Sequence, residues 1–335
     1  MIHFNNICKS FKGGFAVENL SLKINEGELF ILLGESGSGK TTSLKMVNQL
    51  IKPDSGQLLV NNINVSEIEP NLLRKGIGYV MQYYGLFPHF TIKENVSIVP
   101  QLLNWDKESI AKRATELMSV FGLDPSKFLT KYPIELSGGQ QQRIGMIRAL
   151  MASPPILLMD EPLGALDPVT RNAIRNEFKT LAELKNKTIL MVTHDIQEAF
   201  MLADRIGLMF EGKLVQVGKP IDFLLNPASK MVVDFFKDQY FSLMMQCVTL
   251  PELLPDLRTI EKIRPHIKIK KYSIEPNESI KKLLDILSPD YENDQLIEWE
   301  SIKGAESLII SKDMLMSAYF RYLKTLAVVN NQISL

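Results

Sequence analysis

The segment GESGSGKT, residues 34–41, carries residue types that bind phosphate. Its spacing matches the pattern G-x-x-x-x-G-K-[ST], whose glycines let the backbone wrap around phosphate groups. Lys40 would reach the β and γ phosphates of a nucleotide, and the Thr41 hydroxyl suits Mg²⁺. The motif has the context that it requires, because the unbroken apolar run ELFILLG precedes it and a helical pattern follows it.

A pair of carboxylates ends a second apolar run, LLMDE, at Asp160 and Glu161. A magnesium-nucleotide site needs a carboxylate at the end of a strand next to the phosphate loop. We expect Asp160 to contact magnesium through water and Glu161 to polarise the attacking water, since phosphoryl transfer depends chiefly on positioning and charge. The alternative is a surface acidic pair, which the apolar strand running directly into DEP disfavours.

The stretch LSGGQQQR, residues 136–143, contains no carboxylate, histidine or cysteine, and so no general base or metal ligand. Two glycines follow Ser137 just ahead of a helical pattern, IGMIRALM. Such a turn exposes free backbone N–H groups, which suit an anion. Spacing alone does not show which anion the turn binds, or whether that anion is held by this chain or by another.

The elements that must position these groups follow an α/β pattern. The apolar runs without alternation, ELFILLG, ILLMD and TILMVT, are typical of strands buried on both faces of a parallel sheet. Helical patterns such as residues 169–184 separate them. Alternation of strand and helix predicts an α/β core with right-handed crossovers.

The chain divides into a long first part and a short second part. Two short strands, residues 2–5 and 20–24, open it, and residues 85–153 read as a helical subdomain inserted in the α/β core. Short strands follow from Arg205, then a helix over residues 227–237. We therefore predict a first domain over residues 1–237 and a small α+β accessory domain over residues 238–335.

The order of GESGSGKT, Gln82, LSGGQQQR, LLMDEP, ALD and His194 resembles the ATP-binding cassette (ABC) ATPase family over about residues 1–237. The resemblance implies a P-loop NTPase fold with a RecA-like core and a helical subdomain. It also implies ATP rather than another nucleotide, with Mg²⁺, and a dimer with an identical or homologous subunit.

The resemblance also assigns roles to single residues. Phe11 would stack on adenine, although a core phenylalanine is the alternative. Gln82 would touch magnesium and the water, Asp167 would bridge the dimer, and His194 would sit at the γ-phosphate. The expected nucleotide contacts are Phe11, Gly34, Glu35, Ser36, Gly37, Ser38, Gly39, Lys40, Thr41, Thr42, Gln82, Ser137, Gly138, Gly139, Asp160, Asp167 and His194. The expected catalytic residues are Glu161, His194, Lys40 and Gln82, and the expected metal site is Thr41, Gln82 and Asp160.

For the turn LSGG, the resemblance implies that its serine and glycines act in trans. Ser137, Gly138 and Gly139 would cap the γ-phosphate bound to the partner's P-loop, where they stabilise developing negative charge. The absence of catalytic residue types then makes sense, because Glu161 would come from the other chain.

The flanks of the motifs indicate a cargo. GYVMQYYGLFPHFTIKENVSIVPQLLNW, residues 78–105, is similar to importer ATPases for glycine betaine, carnitine and choline. This implies permease subunits in the membrane and, indirectly, a substrate-binding protein. An importer of proline or another small solute is one alternative. A non-transport member of the family is another, which a single P-loop without zinc or coiled-coil inserts disfavours. A module that has lost hydrolysis is a third, against which Lys40, Glu161 and His194 argue.

The tail of the chain carries a weaker resemblance. Residues 272–323 are similar to one degenerate cystathionine-β-synthase-type module, with a strand-like run SLIIS and a helical run KDMLMSAYFRYLKTL. No adenosine-binding motif stands out in them.

Composition narrows the class of protein. Among 335 residues, lysine plus arginine equals aspartate plus glutamate at 38, which argues against a general nucleic-acid binder. Cys8 and Cys247 make no disulfide framework, so a reducing compartment is expected. No apolar window approaches the roughly 18 residues of a membrane span, and the N-terminus lacks a signal-peptide core. We expect a peripheral subunit on the cytoplasmic face of the membrane.

Overall fold

The computed structural model describes residues 1–83, 85–257, 269–271, 279–287, 296–300 and 307–330. The chain forms two compact units, Met1–Pro220 and Ile221–Leu335. The strands of the first unit are β1 (Ile2–Phe11), β2 (Gly14–Ile24), β3 (Leu29–Leu33), β4 (Ser55–Val60), β5 (Ile63–Asn64), β6 (Ile77–Val80), β7 (Ile156–Asp160), β8 (Thr188–Thr193), β9 (Arg205–Phe210) and β10 (Lys213–Gly218). Its helices are α1 (Lys40–Val47), α2 (Pro70–Lys75), α3 (Ile92–Leu102), α4 (Lys107–Val120), α5 (Pro125–Phe128), α6 (Gly138–Leu150), α7 (Pro168–Thr180) and α8 (Ile196–Leu202).

A six-stranded sheet forms the centre of the first unit, in the order β10-β9-β3-β8-β7-β6. Every pairing in it is parallel except that of β10 with β9. All residues of β7 and β8 are buried, as their uninterrupted apolar runs predicted. The predicted α/β fold class is confirmed.

A second, antiparallel sheet of order β2-β1-β4-β5 covers the first. One apolar core joins residues of both sheets with the inner face of α1, including Phe4, Phe30 and Leu44. The strands β1 and β2 are longer than the sequence predicted, because register shifts interrupt the β1 pairing and break the alternation that marks a strand. The strands β4, β5 and β6 were not predicted at all.

The described part of residues 85–153 consists of helices and turns, as the helical pattern predicted. Each of the longer helices begins at a side chain that accepts a backbone hydrogen bond. Thr91 caps α3 in a capping box with Glu94, Asp106 caps α4, and Ser137 caps α6. These caps fix the starting points of the helices, since each satisfies a backbone N–H that would otherwise lack a partner.

The second unit combines helices with a small sheet. Its elements are α9 (Asp222–Leu225), α10 (Lys230–Phe236), α11 (Tyr240–Cys247), α12 (Leu250–Leu257), β11 (Ile269–Lys271), α13 (Ile280–Leu287), β12 (Leu296–Glu300), β13 (Ser307–Ser311) and α14 (Lys312–Asn330). β11 pairs with β12 in parallel, and β12 pairs with β13 antiparallel. The interpretation of residues 272–323 as one module falls partly outside the described residues.

The boundary between the two compact units lies between Pro220 and Ile221, whereas the sequence pattern placed the domain boundary after residue 237. The helices α9 and α10 thus group with the second unit. The assignment of residues 1–237 and 238–335 as functional domains stays a prediction. In the part of the chain that the structure describes, no helix has the length and apolar character to span a bilayer.

Candidate active site

The loop between β3 and α1 is built around a buried lysine. Lys40 is 4% exposed, and its ammonium donates to the carbonyls of Gly34 (2.7 Å) and Glu35 (2.8 Å). Ser38 Oγ lies 3.4 Å from the same nitrogen. Burial lowers the pKa of Lys40, and nearby carboxylates raise it in part. The loop therefore holds a fixed cation at its centre.

Glycine is required in this loop by close backbone approach. Gly39 has a φ of 98°, a left-handed conformation that residues with a Cβ rarely adopt. A Cβ added there would lie 2.2 Å from the carbonyl oxygen of Ala16. The tip of the loop, Glu35–Gly37 in sequence, is exposed, while the residues that anchor it are buried. The loop thus presents backbone to solvent from a rigid base, as a phosphate cradle requires.

A carboxylate from the next parallel strand but one reaches this loop. The Thr41 hydroxyl donates to Asp160 Oδ1 at 2.8 Å, and Asp160 is the last residue of β7. Tyr79 on β6 donates its hydroxyl to Asp160 Oδ2 at 3.3 Å. Burial, and then the charge of Asp160, raise the pKa of Tyr79, so the phenol stays a neutral donor. Tyr79 was not predicted, because β6 was not recognised as a strand.

The carboxylate of Glu161 is held by two side chains from neighbouring strand ends. Gln82 Nε2 donates to Glu161 Oε2 at 3.0 Å, and His194 Nδ1 lies 3.1 Å from the same oxygen. Gln82 follows β6, and His194 follows β8 directly. Carboxyl ends of parallel strands meet at one edge of a sheet, so residues far apart in sequence converge there.

Glu161 also has an uncommon backbone. Its φ is 43°, in the left-handed region that costs a residue with a side chain about 1 kcal/mol or more. Two backbone hydrogen bonds hold it there: Glu161 N donates to Val192 O at 3.0 Å, and Gly164 N donates to Glu161 O at 3.1 Å. Strained backbone conformations are often found at functional sites, because the surrounding structure must hold them in place. The strain at Glu161, within a polar cluster, therefore marks it as a functional candidate.

Asp167 caps the helix α7. Its Oδ1 accepts from the N–H groups of Val169 (3.1 Å) and Thr170 (3.0 Å). Hydrogen bonds from the Thr170 hydroxyl and then from backbone N–H groups lower the pKa of Asp167. The residue is exposed, so this cap lies at the surface of the unit.

Phe11 is not a core residue, since 54% of it is exposed. It ends β1, and the Lys9 ammonium lies 5.5 Å from the centre of its ring. Lys9 is in turn paired with Asp54 at 2.6 Å. The exposed ring face is available for stacking, as the predicted contact with adenine requires.

The turn LSGG stands at the start of α6. Ser137 is exposed and forms a capping box with Gln140, whose N–H lies 3.4 Å from Ser137 Oγ. Gly139 is buried, and a Cβ added there would lie 2.5 Å from Cγ2 of Thr170 on α7. The turn therefore serves its own helix on one side and packs against α7 on the other.

The structure brings most of the predicted site together at one edge of the parallel sheet, the carboxyl ends of β3, β6, β7 and β8. The side chains joined there by hydrogen bonds are Thr41 with Asp160, and Gln82 and His194 with Glu161. Lys40 belongs to the same cluster, because the charges of Glu161 and Asp160 act on it. The contacts of Phe11, Asp167 and Ser137 lie outside this cluster, with Lys9, with the start of α7 and with Gln140 of α6 respectively.

A family model described as ABC transporter matches residues 17–164. The glycine betaine uptake system ATP-binding protein YehX of Escherichia coli (strain K12) is 46% identical over 236 residues, which cover 70% of this chain and 76% of that protein. The chain belongs to the ABC transporter family.

A further relative is also named as a transport ATP-binding protein. The choline transport ATP-binding protein OpuBA of Bacillus subtilis (strain 168) is 50% identical over 236 residues, or 70% of this chain. The chain matches 62% of the length of OpuBA, which is less than two thirds.

Solved structures agree with the fold of the ABC ATPase domain. The dimeric structure of MJ0796, a bacterial ABC transporter cassette, is 37% identical, with a TM-score of 0.59. The match covers 65% of this chain and 98% of that one. A second structure of the same cassette, in a post-hydrolysis state bound to ADP and Pi, matches at 36% identity with a TM-score of 0.59. The predicted P-loop NTPase fold of ABC type is thereby confirmed.

Proposed function

We propose that this chain is the ATP-hydrolysing subunit of an ABC importer and that it works as a dimer with composite ATP sites. The observation that carries the proposal is the cluster at the sheet edge, where Gln82 and His194 both contact Glu161 beside the lysine loop. The ATP-binding relatives YehX and OpuBA, and the cassette MJ0796 bound to ADP and Pi, support it.

In the proposed reaction, Lys40 and the loop N–H groups hold the β and γ phosphates of ATP. The Glu161 carboxylate accepts a proton from water while the water oxygen bonds to the γ-phosphorus and ADP leaves. Gln82 and His194 keep the carboxylate oriented, since both contact Oε2. The side chain of His194 is more than half exposed, so it remains accessible to a bound nucleotide.

The residues beside the loop fit Mg²⁺. The Thr41 hydroxyl, the Asp160 carboxylate and the Gln82 amide oxygen are hard oxygen donors, the type that magnesium prefers. Since Gln82 Nε2 donates to Glu161, Oε1 is the atom that would face the ion. When bound, magnesium would neutralise charge on the β and γ phosphates.

The partner subunit completes each site in this proposal. Ser137, Gly138 and Gly139 act on the γ-phosphate held by the other chain, Asp167 bridges the two chains, and Phe11 stacks on adenine. The exposure of Ser137, Asp167 and Phe11 supports these roles, as does the dimer of the related cassette MJ0796.

The proposed cargo is a quaternary-amine osmoprotectant such as glycine betaine, carnitine or choline. It would pass through membrane permease subunits, which the chain joins as a peripheral subunit on the cytoplasmic side, with a substrate-binding protein acting upstream. The names of the relatives support this class. The second candidate is another small solute, such as proline.

The second unit of the chain is proposed as an accessory domain.

Glu161→Gln tests the proposed chemistry. The variant should still bind ATP, but its turnover rate should fall about a hundredfold or more, because the amide cannot accept the proton. It should therefore accumulate as an ATP-bound dimer. Turnover is measured as phosphate release, and the dimer by size-exclusion chromatography with ATP. Glu108→Gln, an exposed glutamate on α4, is the matched control and should match the wild type. Near-normal turnover in Glu161→Gln would remove the glutamate from the base role.

Uptake of labelled choline, glycine betaine and proline tests the cargo. Cells would carry the chain with its permease partners, and Lys40→Met would serve as the transport-dead control. Uptake of the quaternary amines that Lys40→Met abolishes supports the proposal. Uptake of proline alone would support the second candidate.

A further inference from the structure

Two arginines on α7 face one carboxylate in the segment that carries His194. Arg175 Nη2 donates to Asp195 Oδ2 at 2.9 Å, and Arg171 Nη1 lies 3.7 Å from the same oxygen. Asp195 follows His194 directly in sequence. One carboxylate next to the histidine is therefore held by the helix α7.

Arg171 also reaches the segment that follows Glu161. Its guanidinium donates to the carbonyls of Leu163 (3.2 Å), Gly164 (3.4 Å) and Leu166 (2.9 Å). This turn follows Glu161 and is bonded to it through Gly164 N, 3.1 Å from Glu161 O. A single side chain thus ties the backbone after the carboxylate to the residue after the histidine.

Asp195 is held on its other oxygen too. Its Oδ1 accepts from Glu198 N at 3.0 Å and so caps α8, and its own N–H donates to Thr193 Oγ1 at 3.0 Å. The side chain of Arg175 is 9% exposed and that of Asp195 is 21% exposed. An ion pair this far removed from water has little freedom to rearrange, because leaving either charge unpaired is costly.

We infer that Arg171 and Asp195 are positioning residues, which set the His194 imidazole against the Glu161 carboxylate. The inference rests on the proposed function, in which these two side chains act on the attacking water. Neither Arg171 nor Asp195 needs to touch the nucleotide for this role. They hold the backbone of two loops that carry the reacting side chains, at a place where about 1 Å of displacement can cost a hundredfold in rate.

The chemistry of the side chains gives a charge-conserving test. A guanidinium offers five donors in a rigid fork, and that of Arg171 donates to three carbonyls while its charge faces the Asp195 carboxylate. A lysine ammonium is instead a single point on a flexible stem. Arg171→Lys therefore keeps the charge and loses the geometry. Asp195→Asn keeps an oxygen to cap α8 and loses the charge that the arginines face.

The matched control is Arg113→Lys, at an arginine of α4 outside the site. Arg113 donates to both oxygens of Glu183 (3.0 and 2.7 Å) and to Ser153 Oγ (3.0 Å), and its side chain is 17% exposed. It is a partly buried, multiply bonded arginine like Arg171, so its replacement measures the general cost of losing such a fork.

In the full chain, Arg171→Lys and Asp195→Asn should lower kcat about tenfold or more while KM for ATP stays within about twofold. Arg113→Lys should leave kcat near the wild-type value. Equal values of kcat in Arg171→Lys and the wild type, or an equal loss in Arg113→Lys, would overturn the inference. The inference would also be overturned if kcat were unchanged and a rise in KM accounted for the whole change in kcat/KM.

A readout that needs no turnover separates the inference from the proposed function. With ¹⁵N-labelled histidine, the imidazole resonances of His194 should move in Arg171→Lys and stay in place in Arg113→Lys. The resonance is identified by its loss in His194→Gln. Unmoved resonances in Arg171→Lys overturn the inference. A wild-type chain without ATPase activity overturns the proposed function instead, and the resonances still decide the positioning role.

Discussion

Two glycine-containing turns open helices in the first unit, and the fold treats them in different ways. The loop before α1 closes around Lys40, which is buried and bonded to two loop carbonyls. The turn before α6 begins with Ser137, which is exposed and bonded to its own helix through Gln140. The first turn is an enclosed site, while the second is a capped helix end with an outward face.

The difference lies in what surrounds each turn. Asp160 and Glu161 act on the ammonium of Lys40, so cation and carboxylates of one chain converge on the loop. Around the second turn, the close neighbour is Thr170 of α7, at the buried Gly139. The proposed base, cation and metal ligands lie at one turn and the proposed N–H donors at the other, which suits the proposed dimer, in which each turn completes the other's site.

The largest expected effect tests the enclosed turn. Lys40→Met removes the cation that the loop is built around, and ATP turnover should fall about a hundredfold or more. Phosphate release at saturating ATP measures the loss. Lys45→Met on the same helix is the control, as its side chain lies a turn and a half further along α1. A Lys40→Met protein with half the normal turnover would contradict the enclosed-site description.

Mixed dimers test the outward face of the second turn. Ser137→Arg in one chain and Lys40→Met in the other should leave one intact composite site, because both lesions fall on the same site in trans. When one chain carries both substitutions and its partner is wild type, both sites should be damaged. The turnover of this dimer should be about tenfold lower than that of the dimer with one substitution in each chain. The opposite ranking of the two dimers would show that each chain's turn serves its own loop.

The pH dependence of stability tests the burial of Glu198, a residue of α8 that faces Asp195 and the arginines of α7. Burial is the main cause that raises the pKa of Glu198 to about 7 from 4.5. Between these values the folded chain keeps the proton while the unfolded chain releases it, so stability falls as pH rises from 4.5 to 7 and then levels off. The glutamine in Glu198→Gln does not ionise. Above pH 7, the free energy of unfolding of this variant should therefore exceed that of the wild type by on the order of 3 kcal/mol.

The measurement for Glu198→Gln is the melting temperature at pH 5 and at pH 8. The gain over the wild type should be larger at pH 8, and Glu108→Gln, at an exposed position, should show no such difference. The same gain at both pH values would mean that Glu198 does not titrate in this window.

The smallest expected effect concerns the inner face of the second turn. Gly139→Ala places a Cβ 2.5 Å from Cγ2 of Thr170 and should cost about 1 kcal/mol of stability, since the packing of α6 on α7 must shift. Thr170→Ser removes that methyl group and keeps the hydroxyl, so the double variant should recover the loss. Thermal unfolding measures both. A Gly139→Ala loss that Thr170→Ser leaves unchanged would assign it to another contact.

The local patterns of the sequence were enough to place the parallel sheet and the loop. Continuous apolar runs marked β3, β7 and β8, because strands buried on both faces need no polar residue. The strands β4 and β6 were missed, since β4 is exposed over its first half and β6 spans four residues. Half-exposed and very short strands leave too little periodicity to distinguish them from turns.

Contacts between distant segments were beyond the reach of those patterns. Nothing local in the sequence links Tyr79 to Asp160, or Arg171 to Asp195. The first contact exists because β6 and β7 pair in the sheet, and the second because α7 lies against the segment that follows β8. The strain at Glu161 is of the same kind, as its φ of 43° depends on a hydrogen bond to Val192 on another strand.

The sequence by itself determined the residue types of the site and the strand, loop and helix that hold the lysine, because backbone conformation and apolar periodicity act over short distances. The tertiary structure decided which side chains meet. It buried Lys40 against two carbonyls of its loop, and it left Ser137 at an exposed helix start. Those outcomes depend on which strands lie side by side in the sheet, because the order β3-β8-β7-β6 brings residues far apart in sequence to one edge.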